Sequence, residues 1–196
     1  MKAVLTFAVA LLISIGSAGA EAPQWTVDAK ASRITFTAKQ MQVPITGRFT
    51  KFTAAIRFDP DDLPGSKVSI DIDVASVSTP NADIEAEIKR QPWFDVAHHP
   101  TAHFETLSFM PKGGDRYEAA GQLTLRGVTK PIALPVTIRI SGDPNGPAQR
   151  AQAGGDVTVS RTAFGVGQGQ WRDTAVVADD VVIRFEITAQ RAKAGR

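Results

Sequence analysis

Gly121-Gln-Leu-Thr-Leu-Arg-Gly-Val-Thr-Lys-Pro-Ile-Ala-Leu-Pro-Val136 reads as two alternating strands about one tight connection. Leu123 and Leu125 share one face at a period of two, and beyond a short connection Ile132, Leu134, Val136, Ile138 and Ile140 repeat that period. Residues 127–131 supply the punctuation: Gly127 accepts a positive φ, and Pro131 reads as the first residue of the second strand, where its missing N–H is tolerated. The result is a β-hairpin with one apolar side. It holds no polar cluster, so its function depends on whether that side faces another sheet or a hole.

The same alternation runs through most of the chain. Trp25 and Val27 begin it, followed by Ile34, Phe36 and Ala38 and then by Phe52, Ala54, Ile56 and Phe58, before a break at Asp59-Pro-Asp-Asp-Leu-Pro-Gly65. Between 67 and 74 the sorting is complete, with Val68, Ile70, Ile72 and Val74 on one side and Ser69, Asp71 and Asp73 on the other, which no helix could achieve. Further strands are predicted at 101–109, 117–126, 132–140, 151–160 and 181–188, the last with Val181, Ile183, Phe185 and Ile187 inside. The period changes once. Thr79 suits an N-cap, Pro80 the first helical position, and Ile84 and Ile88 lie four apart before Pro92, so one short helix is predicted over 80–91.

An all-β chain of about eight antiparallel strands with one short helix is a barrel or a sandwich. Alternation alone does not choose. Long strands, hairpin-like connections and a helix near one end favour an eight-stranded barrel, whose interior has room for side chains or for one ligand. Pro135 lies within a strand but out of phase with its apolar face, which indicates a bulge or an edge there.

Residues 1–20 are expected to be removed. Lys2 gives a positive start, residues 3–15 are apolar, and Ala18-Gly19-Ala20 fits signal-peptide cleavage before Glu21. The apolar run is short for a membrane span. The expectation is a free periplasmic protein with one domain over 21–189 and a loose polar tail at 190–196. The absence of cysteine excludes disulfides, thiol chemistry and a lipid-modified N-terminal cysteine. The 22 Lys and Arg nearly balance the 20 Asp and Glu and are scattered among strands, so nucleic acid is not an expected partner.

Six fragments in order carry a family resemblance: Trp25-Thr-Val-Asp-Ala-Lys-Ala-Ser-Arg-Ile34, Gly47-Arg-Phe-Thr-Lys-Phe52, Phe58-Asp59-Pro60, Trp93-Phe-Asp95 leading to Pro100 and Phe104, the stretch from Gly121 to Pro131, and Arg161-Thr-Ala-Phe-Gly165. Each is unspecific alone, but their succession over nearly all of residues 21–196 resembles that of YceI-like proteins. The resemblance implies a lipocalin-like periplasmic barrel whose apolar interior holds a long isoprenoid, such as a polyprenyl phosphate precursor or a quinone tail, with no catalytic residue and no cofactor. Many members carry an Arg-Asp pair and a His on the helix, where this chain reads Ile84-Glu-Ala-Glu-Ile88. If that Arg holds an anionic headgroup, a neutral one such as a quinone, fatty amide or prenol becomes the better expectation. Members with this variant resemble those found beside or fused to b-type membrane cytochromes, which implies a cytochrome partner and, as the alternative function, a non-catalytic docking module. Homodimerisation stays open.

The residues expected to touch such a ligand are Phe36, Phe52, Ile56, Val68, Ile70, Ile72, Leu123, Leu125, Leu134, Val136, Ile183 and Phe185 on strands, Ile84 and Ile88 on the helix, and Trp93, Phe94, Phe164 and Trp171 in loops. Each buried CH₂ of an isoprenoid is worth roughly 0.8 kcal/mol. The same side chains would equally fill a solid core or seal its end. Arg161 is the candidate cation, either meeting a headgroup or pairing with Asp83, Glu85 or Asp173. His98, His99 and His103, with Asp95 or Glu105 nearby, admit a metal site, but their spacing matches no metal pattern and a solvated loop is the simpler reading. There is no Gly-x-Ser-x-Gly elbow, and period two puts Asp71 and Asp73 on the outer face, so catalysis is not expected.

Overall fold

The computed structural model describes residues 21–143 and 148–192; the expected signal peptide, the end of the loop at 142–147 and residues 193–196 lie outside them. Eleven strand segments form one antiparallel sheet among the described residues: β1 Gln24–Val27, β2 Arg33–Gln40, β3 Val43–Phe49, β4 Phe52–Arg57, β5 Lys67–Asp73, β6 Val77–Ser78, β7 Thr101–Pro111, β8 Arg116–Leu125, β9 Val128–Ser141, β10 Ala148–Ser160 and β11 Asp180–Ala192. They make eight staves. β1 and β2 are one stave interrupted at 28–32, β3 and β4 a second interrupted at Thr50 and Lys51, and β5 and β6 a third interrupted by a 3-10 turn at Val74–Ser76. One edge of β11 pairs with β10 and the other with both β1 and β2, which closes the ring. The described residues form an eight-stranded antiparallel barrel with one short α-helix.

The three interruptions lie side by side, each held by local hydrogen bonds. Asp28 Oδ1 accepts from the N–H of Lys30 and Ala31 at 3.0 and 3.1 Å, Ser76 Oγ accepts from Lys51 N–H at 3.0 Å, and Asp73 Oδ1 caps the 3-10 turn through Ala75 N–H at 3.0 Å. Pairing register shifts across them: Trp25 faces Ile56 on one side of the break, Ile34 faces Phe49 on the other. The interruptions break the ladder locally. They also separate two ends of the interior. At the β1/β4 end Trp25, Phe58, Phe109, Ala119, Val136 and Ala189 form a buried cluster. There Trp25 Nε1–H donates to Phe58 O at 2.9 Å, and the Phe58 ring stands edge-on to Phe109 and Tyr117 at 5.3 and 5.4 Å.

The β8–β9 hairpin turns more tightly than its sequence suggests. Arg126 (φ 51°) and Gly127 (φ 72°) make a two-residue turn, so Pro131 lies inside β9 opposite Gln122 rather than at its first position. Register explains why both prolines fit. Ile138 N–H donates to Asp115 O at the β8 side, so the N–H positions of odd-numbered β9 residues point to β10, and Pro131 and Pro135 lack a donor there. The β9–β10 ladder accordingly covers only 137–141 with 150–154, giving the edge that Pro135 indicated. Gly155 passes so close that an added Cβ would lie 2.1 Å from Pro135 O. Beyond this point Phe164 and Val166 pack with Val128, Ile132 and Val157 and close the flank.

Two expected boundaries move. The helix, α1, is Ala82–Ile88, and its cap is Asn81, whose Oδ1 accepts from Asp83 and Ile84 N–H at 2.8 and 3.2 Å. Thr79 lies two residues before the cap, and its hydroxyl donates to Asn81 O instead. β11 continues to Ala192, so Gln190 and Arg191 belong to the wall and not to a loose tail: Gln190 faces Thr26, and Arg191 lies over the Trp25 ring at 5.4 Å. Among the described residues no helix is long and apolar enough to cross a membrane.

Candidate functional site

The end of the barrel built from β2, β3 and β6 is not filled. A cavity of about 330 Å³ lies inside it, walled by Ile34, Phe36 and Ala38 of β2, Ile45 and Phe49 of β3, Ile72, Ala102, Leu123, Leu125 and Val159, and Val181 and Ile183 of β11. Ile84 and Ile88 of α1 close it from above, with Trp93, Phe94 and Trp171. Glycine shapes the wall at one point: a Cβ on Gly47 would sit 2.3 Å from the Phe36 ring, which lies across β3 at that position. From there the aromatics form a chain, Phe36 to Phe49 at 5.8 Å and Phe49 to Phe94 at 6.0 Å, with Trp93 against Trp171 at 5.5 Å. Offset and tilted contacts of this length are favourable for aromatic rings.

Arg161, the expected headgroup cation, is spent elsewhere. Its Nε–H donates to Ala178 O, its Nη1 to the carbonyls of Val166 and Gly167, and its Nη2 to those of Trp171 and Val177, all between 2.7 and 3.0 Å. The group is 3 % exposed, and burial pushes its pKa below the usual guanidinium value. It meets neither Asp83, Glu85 nor Asp173. The reason is geometric: all five N–H donors are met by backbone carbonyls of the irregular 166–178 segment, which Arg161 holds in place as a buried staple. Asp179, beside it, is burdened by burial but accepts from Ser160 Oγ at 2.7 Å and Thr162 N–H at 2.9 Å, and the net effect holds its carboxyl below the ordinary range.

The remaining charges at the cavity are Lys39, Asp83 and Glu87. Glu87 accepts from Trp171 Nε1–H at 3.1 Å and pairs with Arg90 at 3.1 Å. Glu85, on the same helix, pairs with Lys89 at 2.9 Å, and that hydrogen bond lowers its pKa. Trp93 Nε1 is buried with no hydrogen-bond partner in the structure.

Of the expected ligand contacts, the cavity brings together Phe36, Ile72, Ile84, Ile88, Trp93, Phe94, Leu123, Leu125, Arg161, Trp171 and Ile183. The others lie away from it. Val136 belongs to the packed cluster, and Ile56, Val68, Leu134 and Phe185 pack against it. Phe164 sits in the flank-closing cluster, Ile70 pairs with Ala54 and Phe104 along the wall, and Phe52 lines a separate groove at the strand break with Lys51, Asp71 and Asp73. The cavity also takes residues outside that expectation: Ile45 and Phe49 of β3, Ile34, Ala38, Ala102, Val159, Val166, Val177 and Val181, and the polar Lys39, Gln40, Asp83 and Glu87. Ile45 and Phe49 do alternate, but the connection before them, Met41-Gln42, contains no turn-forming residue to announce a strand.

The histidines do not converge. His98 Nδ1 meets Asp95 Oδ1 at 2.8 Å, His103 Nδ1 meets Asp71 Oδ1 at 2.7 Å on the outer face, and His99 lies beside Gly127. Among the described residues no three His, Cys, Asp or Glu side chains are grouped to hold a metal ion.

Residues 25–189 match the YceI-like domain family. A UPF0312 protein of Vibrio cholerae is 29% identical over 168 residues, covering 84% of this chain and 88% of the relative. Among solved structures, Burkholderia cenocepacia BcnA is 34% identical, with a TM-score of 0.72 over 83% of this chain and 98% of its own. A polyisoprenoid binding domain from Saccharophagus degradans, implicated in plant cell wall breakdown, shares the fold at 19% identity, with a TM-score of 0.66 over 87% of this chain and 99% of its own. With the barrel, the capped apolar end and a match running from the first strand into the last, this chain belongs to the YceI-like domain family.

Proposed function

We propose that this protein is a non-catalytic periplasmic carrier that sequesters one long, weakly polar amphiphile of isoprenoid or quinone type in the β2/β3 end of its barrel. The observation that carries the reading is the unfilled, apolar cavity in a barrel whose other end is tightly packed. An isoprenoid tail has no hydrogen-bonding groups and asks only for apolar walls; each CH₂ removed from water is worth roughly 0.8 kcal/mol. The cavity is at the lower end of the range for small-molecule sites, so it encloses a stretch of chain rather than a whole polyprenyl. The fold is shared with a domain named for polyisoprenoid binding.

The rim favours a neutral headgroup. Arg161 has no free donor, Lys39 is the remaining cation on the cavity, and Asp83 and Glu87 are acidic. A pyrophosphate there would meet like charge without a guanidinium to hold it. A neutral quinone or prenol oxygen meets no such repulsion from Asp83 and Glu87.

Native mass spectrometry of protein isolated from its own envelope tests this. The expected result is a lipid-sized adduct that organic extraction removes and that Ala102→Phe, which fills the cavity from its β7 wall, prevents from forming. Folded wild-type protein that is empty from its native source and takes up no prenol or quinone overturns the proposal.

A further inference from the structure

We propose that the β2–β3 turn is a membrane-docking tip that seats the cavity mouth on a lipid bilayer. The turn is built against its own convenience. Met41 (φ 48°) and Gln42 (φ 66°) both occupy the left-handed region, in a two-residue hairpin where Asn-Gly or Asp-Gly would relieve the strain. A large apolar residue is thus held at the tip of a turn that folds better without it, and it is 73 % exposed. Backbone strain carried by an exposed side chain points to a role for that side chain.

The tip is continuous with the cavity. Ile45, Gly47 and Phe49 face inward on β3 at a period of two, and Val43 extends the same row past the rim, where it is 62 % exposed. The greasy inner face therefore runs out of the barrel onto the tip. The loop at 169–177 braces it: Met41 N–H donates to Val176 O at 2.8 Å, and Ala178 N–H donates to Lys39 O at 2.9 Å. Exposed Lys39, paired with Pro44 at the base of the turn, and exposed Arg172 on the bracing loop are placed to meet lipid phosphates. Of the nearby acids, Asp173 accepts from Ala175 N–H, and Asp83 and Glu87 lie on α1 rather than on this tip, Glu87 paired with Arg90. An apolar tip with cations behind it has the chemistry of an interfacial anchor.

The choice of a bilayer over a protein partner rests on the proposed cargo. A long isoprenoid reaches the cavity without crossing water only if the mouth abuts the membrane that holds it. The test uses Met41→Asn combined with Gln42→Gly, and separately Val43→Thr, neither of which touches the cavity lining. Three quantities are compared with wild type: denaturation midpoint, binding of a detergent-dispersed fluorescent prenol, and cosedimentation with phosphatidylcholine–phosphatidylglycerol vesicles. The turn variant is expected to be at least as stable and to bind the dispersed prenol equally, yet to cosediment and to extract prenol from the vesicles roughly tenfold less well. Equal cosedimentation of variants and wild type overturns the docking tip. Failure of wild type to bind dispersed prenol counts against the carrier reading alone, because cosedimentation still judges the tip.

Discussion

The two ends of this barrel are written in the same alternating pattern and come out opposite. At the β1/β4 end Trp25, Phe58, Phe109 and Tyr117 interlock, with an indole hydrogen bond and edge-on rings filling the space. At the β2/β3 end Phe36, Phe49 and Phe94 line the wall as a belt, and the middle is left as a cavity. The aromatic content is similar; what differs is direction. Phe58, just beyond β4, packs into the buried cluster with Trp25 and Phe109, whereas Phe36 leans against Gly47 of the neighbouring strand and lines the cavity. The side-by-side breaks in three staves let one sheet hold both arrangements, since register on the two sides of them is set separately.

Truncating one side chain at each end should expose the difference. Phe58→Ala should cost about 3–5 kcal/mol in denaturant unfolding, because it opens a void in a packed cluster. Leu123→Ala, on the cavity wall, should cost about 2 kcal/mol, at the low end for its type, because the atoms it removes already face space on one side. Equal losses at the two sites would mean that the cavity is closed in solution. A bound lipid should raise the apparent stability of the wild type, which sharpens the contrast further.

Arg161→Met addresses the loop that separates the cavity from solvent. It removes donors from five carbonyls while keeping an apolar stem, and should cost about 3 kcal/mol, with loss of the signal of the tilted Trp93–Trp171 pair in near-ultraviolet circular dichroism. If Arg161 instead served a headgroup, the variant would keep its stability and lose only ligand.

Period two identified which residues point inward, because that projection follows from backbone geometry alone. Leu123 and Leu134 were therefore both legible as interior, yet one borders the cavity and the other the packed cluster. Whether inward side chains meet depends on partners dozens of residues away, and no local pattern encodes it. Strand β3 has no local announcement, because Met41-Gln42 has none of the residues that such a turn prefers. Arg161 was legible as a buried cation but not as a staple, since its partners are carbonyls, which every residue possesses.

The smallest expected effect concerns acid, and it too should divide the ends. Asp95 follows the cavity residues Trp93 and Phe94, is buried, and sits at φ 51°. A hydrogen bond from His98 holds its carboxyl below the ordinary range, with His99 and Arg126 adding their charges. A carboxyl lowered in the folded state stabilises that state above its unfolded pKa, about 3.9, and the contribution is lost as pH falls through the lower folded value. Asn tolerates this left-handed backbone and keeps an acceptor, so Asp95→Asn removes the charge alone. Thermal melts followed by tryptophan fluorescence should show the wild type more stable than Asp95→Asn near about pH 5, with the gap closing towards about pH 3. The change should register at Trp93 and Trp171, leaving hydrogen-exchange protection around Trp25 untouched. A gap that persists at the lower pH would assign the effect of Asp95 to backbone shape rather than charge.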